Sequence, residues 1–226
     1  MNTFEIEIKV LLGDEAKAQE VIEKIKQNDA NTELTDQNSQ LNHYFLPQGD
    51  FEKLTETLKQ YIHPDNHEKL YQVIVEGKNH SIRTREVDGK LLFVVKSSVD
   101  DTSSSNGTAR IEFEEAIADL ALNELDQIML DHWFPYQSKR SRERQEYKYK
   151  DFNVCIDKNA GYGYVAEFEK ILSDKNQIDE AKKSIRKELE LLGIEELPQD
   201  RLERMFAHYN QHRPEYYGTE KTFTIL

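Results

Sequence analysis

Three features of the sequence predict an α+β fold, mostly antiparallel and closed into a β-barrel. Strand-like alternation recurs along most of the chain, largely in hairpin order. A few amphipathic helices fall between the strands. In strand after strand one face is apolar and the other charged, and closing such a sheet would remove its edges.

Phe4, Ile6, Ile8 and Val10 alternate with Glu5, Glu7 and Lys9, which is the period of a strand. A helix is expected over 14–27, with Ala18, Val21, Ile22 and Ile25 on one face, and a short strand over 41–46. Asp50 starts a second amphipathic helix carrying Phe51, Leu54, Leu58 and Tyr61, and Pro64 ends that region. Residues 70–75 and 80–87 read as strands joined by a turn at Gly77. Asp88-Gly89 is a hairpin signal leading into a strand over 91–96. Residues 97–107 are polar and serine-rich and read as a mobile loop. Residues 108–116 alternate again, and a helix is expected over 119–133. Strands follow over 140–149, 152–157 and 164–170, the last entered through a turn at Gly161-Tyr162-Gly163. A long helix over 174–192 is closed by Gly193. A final helix over 199–211 precedes an aromatic tail, 216–223.

The 226 residues suit one domain or one domain with an appendage, and 37% hydrophobic residues suffice for a core. The net charge of -13 argues against a general nucleic-acid-binding surface. Cys155 is the lone cysteine, so no intramolecular disulfide can form, which points to the cytoplasm. No apolar run is long enough to span a bilayer, so no membrane association is expected. The N-terminus runs straight into a strand pattern, with no signal peptide read there.

The charged faces carry the chemistry. Glu5, Glu7 and Lys9 share one face of their strand, because successive side chains point to opposite sides. The same holds for Arg83 and Arg85, for Arg110, Glu112 and Glu114, for Arg140, Arg142 and Arg144, and for Glu167 and Glu169. Like charges two apart repel, so such pairs need counter-charges or metal. If the amphipathic helices cover the apolar faces from outside, the charged faces line the inside. Buried charges are costly unless paired, hydrated or bound to ligand. Carboxylates are natural ligands of Mg²⁺ or Mn²⁺, and arginine forks grip phosphate oxygens. An interior of both signs therefore suits a metal-bound polyphosphate.

Other site types fit less well. There is no glycine-rich Walker loop, and the seven histidines, His43, His63, His67, His80, His132, His208 and His212, show no ligand spacing. His208 and His212 lie one helical turn apart. Cys155 lacks a histidine nearby in sequence and reads as a buried strand residue.

Glu5-Ile6-Glu7-Ile8-Lys9 resembles the ExExK signature of the CYTH superfamily, the triphosphate tunnel metalloenzymes. Further matches follow in the family's order: Arg83 and Arg85, Lys96, then Arg110, Glu112 and Glu114. A basic strand, Asp157, Gly161-Tyr162-Gly163, and Glu167 with Glu169 complete the series. The resemblance covers residues 3 to about 195.

The resemblance implies an eight-stranded antiparallel barrel, a tunnel, with helices packed outside. It implies a tunnel domain over 1–195 with a helical insert around 48–79, and a C-terminal helical extension over 196–226. Glu5, Glu7, Glu167 and Glu169 resemble metal ligands, with Asp157 close by and Glu112 and Glu114 as a further acidic pair. Lys9, Arg83, Arg85, Lys96, Arg110, Arg142 and Arg144 resemble the phosphate-binding set. Tyr44 resembles a tyrosine that pairs with a strand lysine, here Lys96, in members that hydrolyse tripolyphosphate or thiamine triphosphate.

Three departures stand out. Leu46 and Pro47 replace the family's aspartate after the Tyr-Phe pair. The lysine of its K-x-R strand appears as Arg142, unless Lys139 or Arg140 takes that role. The stretch over 48–79 is longer than usual.

The favoured function is divalent-metal-dependent hydrolysis of a triphosphate-bearing substrate: inorganic tripolyphosphate, thiamine triphosphate or a nucleoside triphosphate. The alternative is a class IV adenylate cyclase making cyclic AMP and pyrophosphate from ATP. A non-catalytic polyphosphate- or nucleotide-binding module ranks third. The expected cofactor is Mg²⁺ or Mn²⁺, the expected partner is the small-molecule substrate, and a homodimer is allowed.

Overall fold

The computed structural model describes residues 3–98 and 109–224. Its strands are β1 (Phe4–Gly13), β2 (Glu33–Phe45), β3 (Lys78–Val87), β4 (Lys90–Ser98), β5 (Ala109–Ala116), β6 (Tyr136–Tyr149), β7 (Phe152–Asn159) and β8 (Gly163–Leu172). The helices are α1 (Glu15–Asn28), α2 (Phe51–Leu58), α3 (His67–Tyr71), α4 (Leu122–Asp131), α5 (Ile178–Leu192) and α6 (Gln199–Tyr216). The eight strands close into a barrel in the order β1-β5-β4-β3-β2-β6-β7-β8, with antiparallel neighbours throughout. The β1–β8 seam is long, running from Phe4↔Leu172 to Gly13↔Tyr164, whereas β1 meets β5 only at Glu5↔Arg110 and Ile6↔Ala109.

The apolar strand faces point outward, under helices. Ile6, Ile8 and Val10 of β1 and Phe168 of β8 pack against Val21, Ile22 and Ile25 of α1 and Ile185 and Leu189 of α5. Asp14 caps α1 by accepting from the Lys17 amide at 2.9 Å, and α5 ends at Gly193 in the left-handed conformation, φ 64°. On the opposite wall Phe45, Ile82, Phe93, Val95 and Phe113 lie under α2, α3 and α4. Asp50 caps α2 by accepting from the Lys53 amide at 3.0 Å, and Leu54 and Leu58 are fully buried. α2 is thus wall material on that side. With helices covering both apolar faces, the alternate, charged residues are left to the interior.

α6 forms a third cluster, placing Leu202, Met205 and Tyr209 against Tyr162 and Val165. The Tyr209 hydroxyl donates to the Lys139 carbonyl at 2.8 Å. The tail beyond it is pinned by Phe223 N–H donating to the Gly161 carbonyl at 2.6 Å. The glycines predicted as a turn are needed there: both have positive φ, and a Cβ on Gly163 would run into the Gly13 carbonyl.

Several elements differ from the sequence expectation. Residues 70–75 are helical, α3 continuing into a π-helical turn over Gln72–Glu76. Leu70, Val73 and Ile74 bury at helical spacing there, and periodicity alone does not separate so short an apolar run from a strand. β2 begins at Glu33, well before residue 41; its inward positions, Asn38, Gln40 and Asn42, are polar and hid the alternation. β6 begins at Tyr136, and α6 continues to Tyr216. The loop expected over 97–107 begins with Ser97 and Ser98 still in β4, and its remainder lies outside the described residues. No helix among the described residues is long and apolar enough to cross a membrane.

Candidate active site

The barrel encloses a cavity of about 420 Å³, and all the sequence-predicted site residues line it. These are Glu5, Glu7, Lys9, Tyr44, Arg83, Arg85, Lys96, Arg110, Glu112, Glu114, Arg142, Arg144, Asp157, Glu167 and Glu169. A roomier groove, about 520 Å³, lies against Gly218, Thr219 and Thr222, but it lacks the glutamate pairs of β1, β5 and β8.

Inside the barrel the charges form a connected network. Lys9 bridges Glu7 and Glu167, each at 2.7 Å. Lys96 reaches both oxygens of Glu5 at 2.8 Å and Glu112 at 3.3 Å. Arg85 donates to Asn42 at 2.9 Å and to Glu114 at 2.8 Å. Arg144 forks onto Asp157 at 2.7 and 2.8 Å and reaches Glu167 at 2.6 Å. Arg142 donates to the second Asp157 oxygen at 2.6 Å and to Gln40 at 2.8 Å. Pairing of this kind makes burial of so many charges tolerable.

One expectation needs correction. Tyr44 does not pair with Lys96: its hydroxyl accepts from Arg83 at 2.9 Å. β3 lies between β2 and β4, so Arg83 faces Tyr44 across the strand pair and Lys96 stands one strand farther round. Asp157, expected close to the metal ligands, accepts from Arg142 and Arg144 through both its oxygens, and Arg144 links it to Glu167.

Among the acidic residues, Glu5, Glu7 and Glu169 each offer a carboxylate oxygen within 4.8 Å of the others. Cys155, Glu167 and Glu169 form a second such group. The first is an all-oxygen donor set, which suits a hard cation such as Mg²⁺ or Mn²⁺. Burial and the Glu167 charge push Glu169 up to about 7. Burial likewise pushes Glu5 well above the usual carboxylate range, although Lys96 pulls the other way. Glu7 behaves oppositely: burial opposes its ionisation, but Lys9 and Lys96 hold it down at about 2. Three carboxyl groups this close do not all ionise readily without added positive charge, and a divalent cation would supply it. The residues therefore fit such an ion. Glu112 and Glu114 instead face Lys96 and Arg85, and Glu167 lies between Lys9 and Arg144.

Tyr44 stands apart electrostatically. Burial would raise its phenol, but Arg83, Arg140, Arg142 and Arg85 outweigh burial and bring it down to about 7. A phenol in that range can accept a proton near neutrality. Burial pushes the Cys155 thiol well up, in keeping with an inert strand residue. His208 and His212 stack on each other with centroids 4.4 Å apart.

Sequence reasoning missed part of the lining. Leu202, Met205 and Phe206 of α6 and Tyr162 complete one side of the cavity. Their apolar spacing reads as ordinary core. The amides Gln40 and Asn42, which orient Arg142 and Arg85, gave no charge signal.

No curated protein matches the sequence. Solved structures do resemble the fold. The PH1819 protein of Pyrococcus horikoshii OT3 is 20% identical with a TM-score of 0.58, over 86% of this chain and 93% of that one. A conserved hypothetical protein of Pyrococcus furiosus is 20% identical with a TM-score of 0.56, over 85% and 91%. A proposed adenylate cyclase of Vibrio parahaemolyticus is 15% identical with a TM-score of 0.55, over 86% and 91%. At these identities the likeness speaks for the fold alone. The model of the CYTH domain matches residues 3–201, and the chain thus belongs to the CYTH domain family, whose members are divalent-metal-dependent enzymes acting on triphosphates.

Proposed function

We propose that the chain is a triphosphatase that hydrolyses the terminal phosphoryl group of a triphosphate-bearing substrate in the barrel cavity. The observation that carries this reading is Tyr44, a phenol brought down to about 7 by arginines in the same cavity as a cluster of carboxylates. Hydrolysis needs a proton acceptor for water; phosphate binding alone does not.

Lys9, Arg83, Arg85, Lys96, Arg110, Arg142 and Arg144 bind the phosphate oxygens, the arginines as two-point forks and the lysines as point charges. Glu5, Glu7 and Glu169 would hold a divalent cation, which would supply positive charge against the phosphate oxygens. The Tyr44 phenolate takes a proton from water as the water oxygen bonds to the terminal phosphorus. The bridging P–O bond breaks, its electron pair stays with the departing diphosphate, and orthophosphate forms. Asp157 keeps Arg142 and Arg144 oriented throughout.

A cyclase would use the same cavity differently, closing the 3′-hydroxyl of ATP onto the α-phosphorus. The adenylate cyclase description of the Vibrio parahaemolyticus protein is the observation on that side. Incubating the protein with ATP and Mg²⁺ or Mn²⁺ separates the readings. Orthophosphate with ADP supports hydrolysis; cyclic AMP with pyrophosphate replaces it by cyclisation.

A further inference from the structure

We propose that Arg140 is an additional anion-binding residue of the cavity and that α6 completes the site by holding it. The inference rests on the triphosphate reading for its ligand and on Arg140's own surroundings for its place.

Arg142 and Arg144 on the same strand face both reach carboxylates. Among the described residues Arg140 forms no such ion pair, and three rings lie around its guanidinium. Its centre lies 4.2 Å from the Phe206 centroid, 4.9 Å from Tyr44 and 5.7 Å from Tyr209. Its Nε is buried with no acceptor among the described residues. Ring faces attract the cation but leave its in-plane N–H groups unspent. A buried donor without an acceptor is costly, and the cost is relieved when an anion supplies the oxygen. Arg140 lines the same cavity as Tyr44 and the paired arginines, so a phosphate oxygen is the acceptor that chemistry favours.

α6 is what keeps the guanidinium in this plane. Phe206 and Tyr209 lie three residues apart on the helix, and the Tyr209 hydroxyl anchors to the carbonyl of Lys139, the residue before Arg140. Most of α6, including both rings, lies past residue 201, where the CYTH domain match ends. Phe206 is therefore a positioning residue contributed by the part of the chain beyond that match.

The test follows the Arg140 Nε–H directly by ¹⁵N NMR, assigned by its loss in Arg140→Gln, with inorganic phosphate and inorganic tripolyphosphate as separate probes. Both anions are expected to move this resonance downfield. By calorimetry Arg140→Gln should bind tripolyphosphate at least about tenfold more weakly, as for a lost charge-assisted hydrogen bond. Without anion the same variant should melt close to wild type, because removing the unmet Nε–H donor offsets the lost ring contacts. Phe206→Leu keeps the packing but removes the ring face and should weaken binding, and Phe206→Tyr should restore it. A resonance unmoved by either anion overturns the assignment, even if the protein hydrolyses tripolyphosphate. A resonance moved by phosphate in a protein that leaves tripolyphosphate intact upholds Arg140 and overturns the triphosphatase reading.

Discussion

Arg83 and Tyr44 face each other across β3 and β2, and the guanidinium donates to the phenol oxygen at 2.9 Å. The contact stabilises the phenolate, because a hydrogen bond and a positive charge both favour the ionised form. With Arg140 and Arg142 also nearby, Tyr44 titrates at about 7.

Tyr44 as proton acceptor predicts a pH dependence with a definite sign. The acceptor is the phenolate, which forms as pH rises through about 7. Wild-type kcat for tripolyphosphate should therefore climb across that range and then level off. Tyr44→Phe should lower kcat by roughly 10²–10⁴-fold, leave KM little changed and lose the climb. A Tyr44→Phe variant with the wild-type profile would assign the proton to another group.

Arg83→Gln should move the same climb to higher pH, since the largest single charge holding the phenol down is gone. Absorbance titration of the phenolate, referenced to Tyr44→Phe, would follow the shift independently of turnover. An unmoved titration would mean that Arg83 does not tune the phenol.

Glu169 predicts opposite effects on stability and on metal. Its folded value is raised from 4.5 to about 7, so the group binds a proton more tightly folded than unfolded. That stability is fully present below about 4.5 and is lost as pH rises through about 7. At pH 8, in EDTA, Glu169→Gln should thus be more stable than wild type, by on the order of 2–3 kcal/mol at most. The same variant should bind Mn²⁺ much more weakly in calorimetry, having lost a hard oxygen ligand. A variant less stable in EDTA but unaltered in Mn²⁺ affinity would make Glu169 purely structural.

Leu54 tests whether the helical insert belongs to the wall. The side chain is fully buried in the cluster that holds Phe45, Ile82 and Phe93. Leu54→Ala should cost about 2–4 kcal/mol in urea unfolding, the range for a cavity in a packed core. A cost below about 0.5 kcal/mol, as at a surface position, would mark α2 as an ornament.

Strand parity was legible because repulsive pairs repeat. Glu5 with Glu7, Arg83 with Arg85 and Glu167 with Glu169 make sense only on a face that gathers counter-charges, and that face is the interior. Which residues touch was not legible, since it depends on strand order. Tyr44 meets Arg83 because β3 separates β2 from β4, and no local spacing carries that information. Leu70, Val73 and Ile74 were misread because one turn of helix and one short strand bury a similar apolar run. Phe206 was missed for a related reason. An aromatic on an amphipathic helix reads as core until the fold sets it against Arg140.

The most direct measurement is ³¹P NMR of inorganic tripolyphosphate incubated with the protein and Mg²⁺ or Mn²⁺, with a parallel sample in EDTA. A Tyr44-assisted hydrolase predicts orthophosphate and pyrophosphate appearing together, only with the metal, and far more slowly in Tyr44→Phe. Tripolyphosphate that stays intact with either metal, while ATP yields cyclic AMP and pyrophosphate, would contradict it.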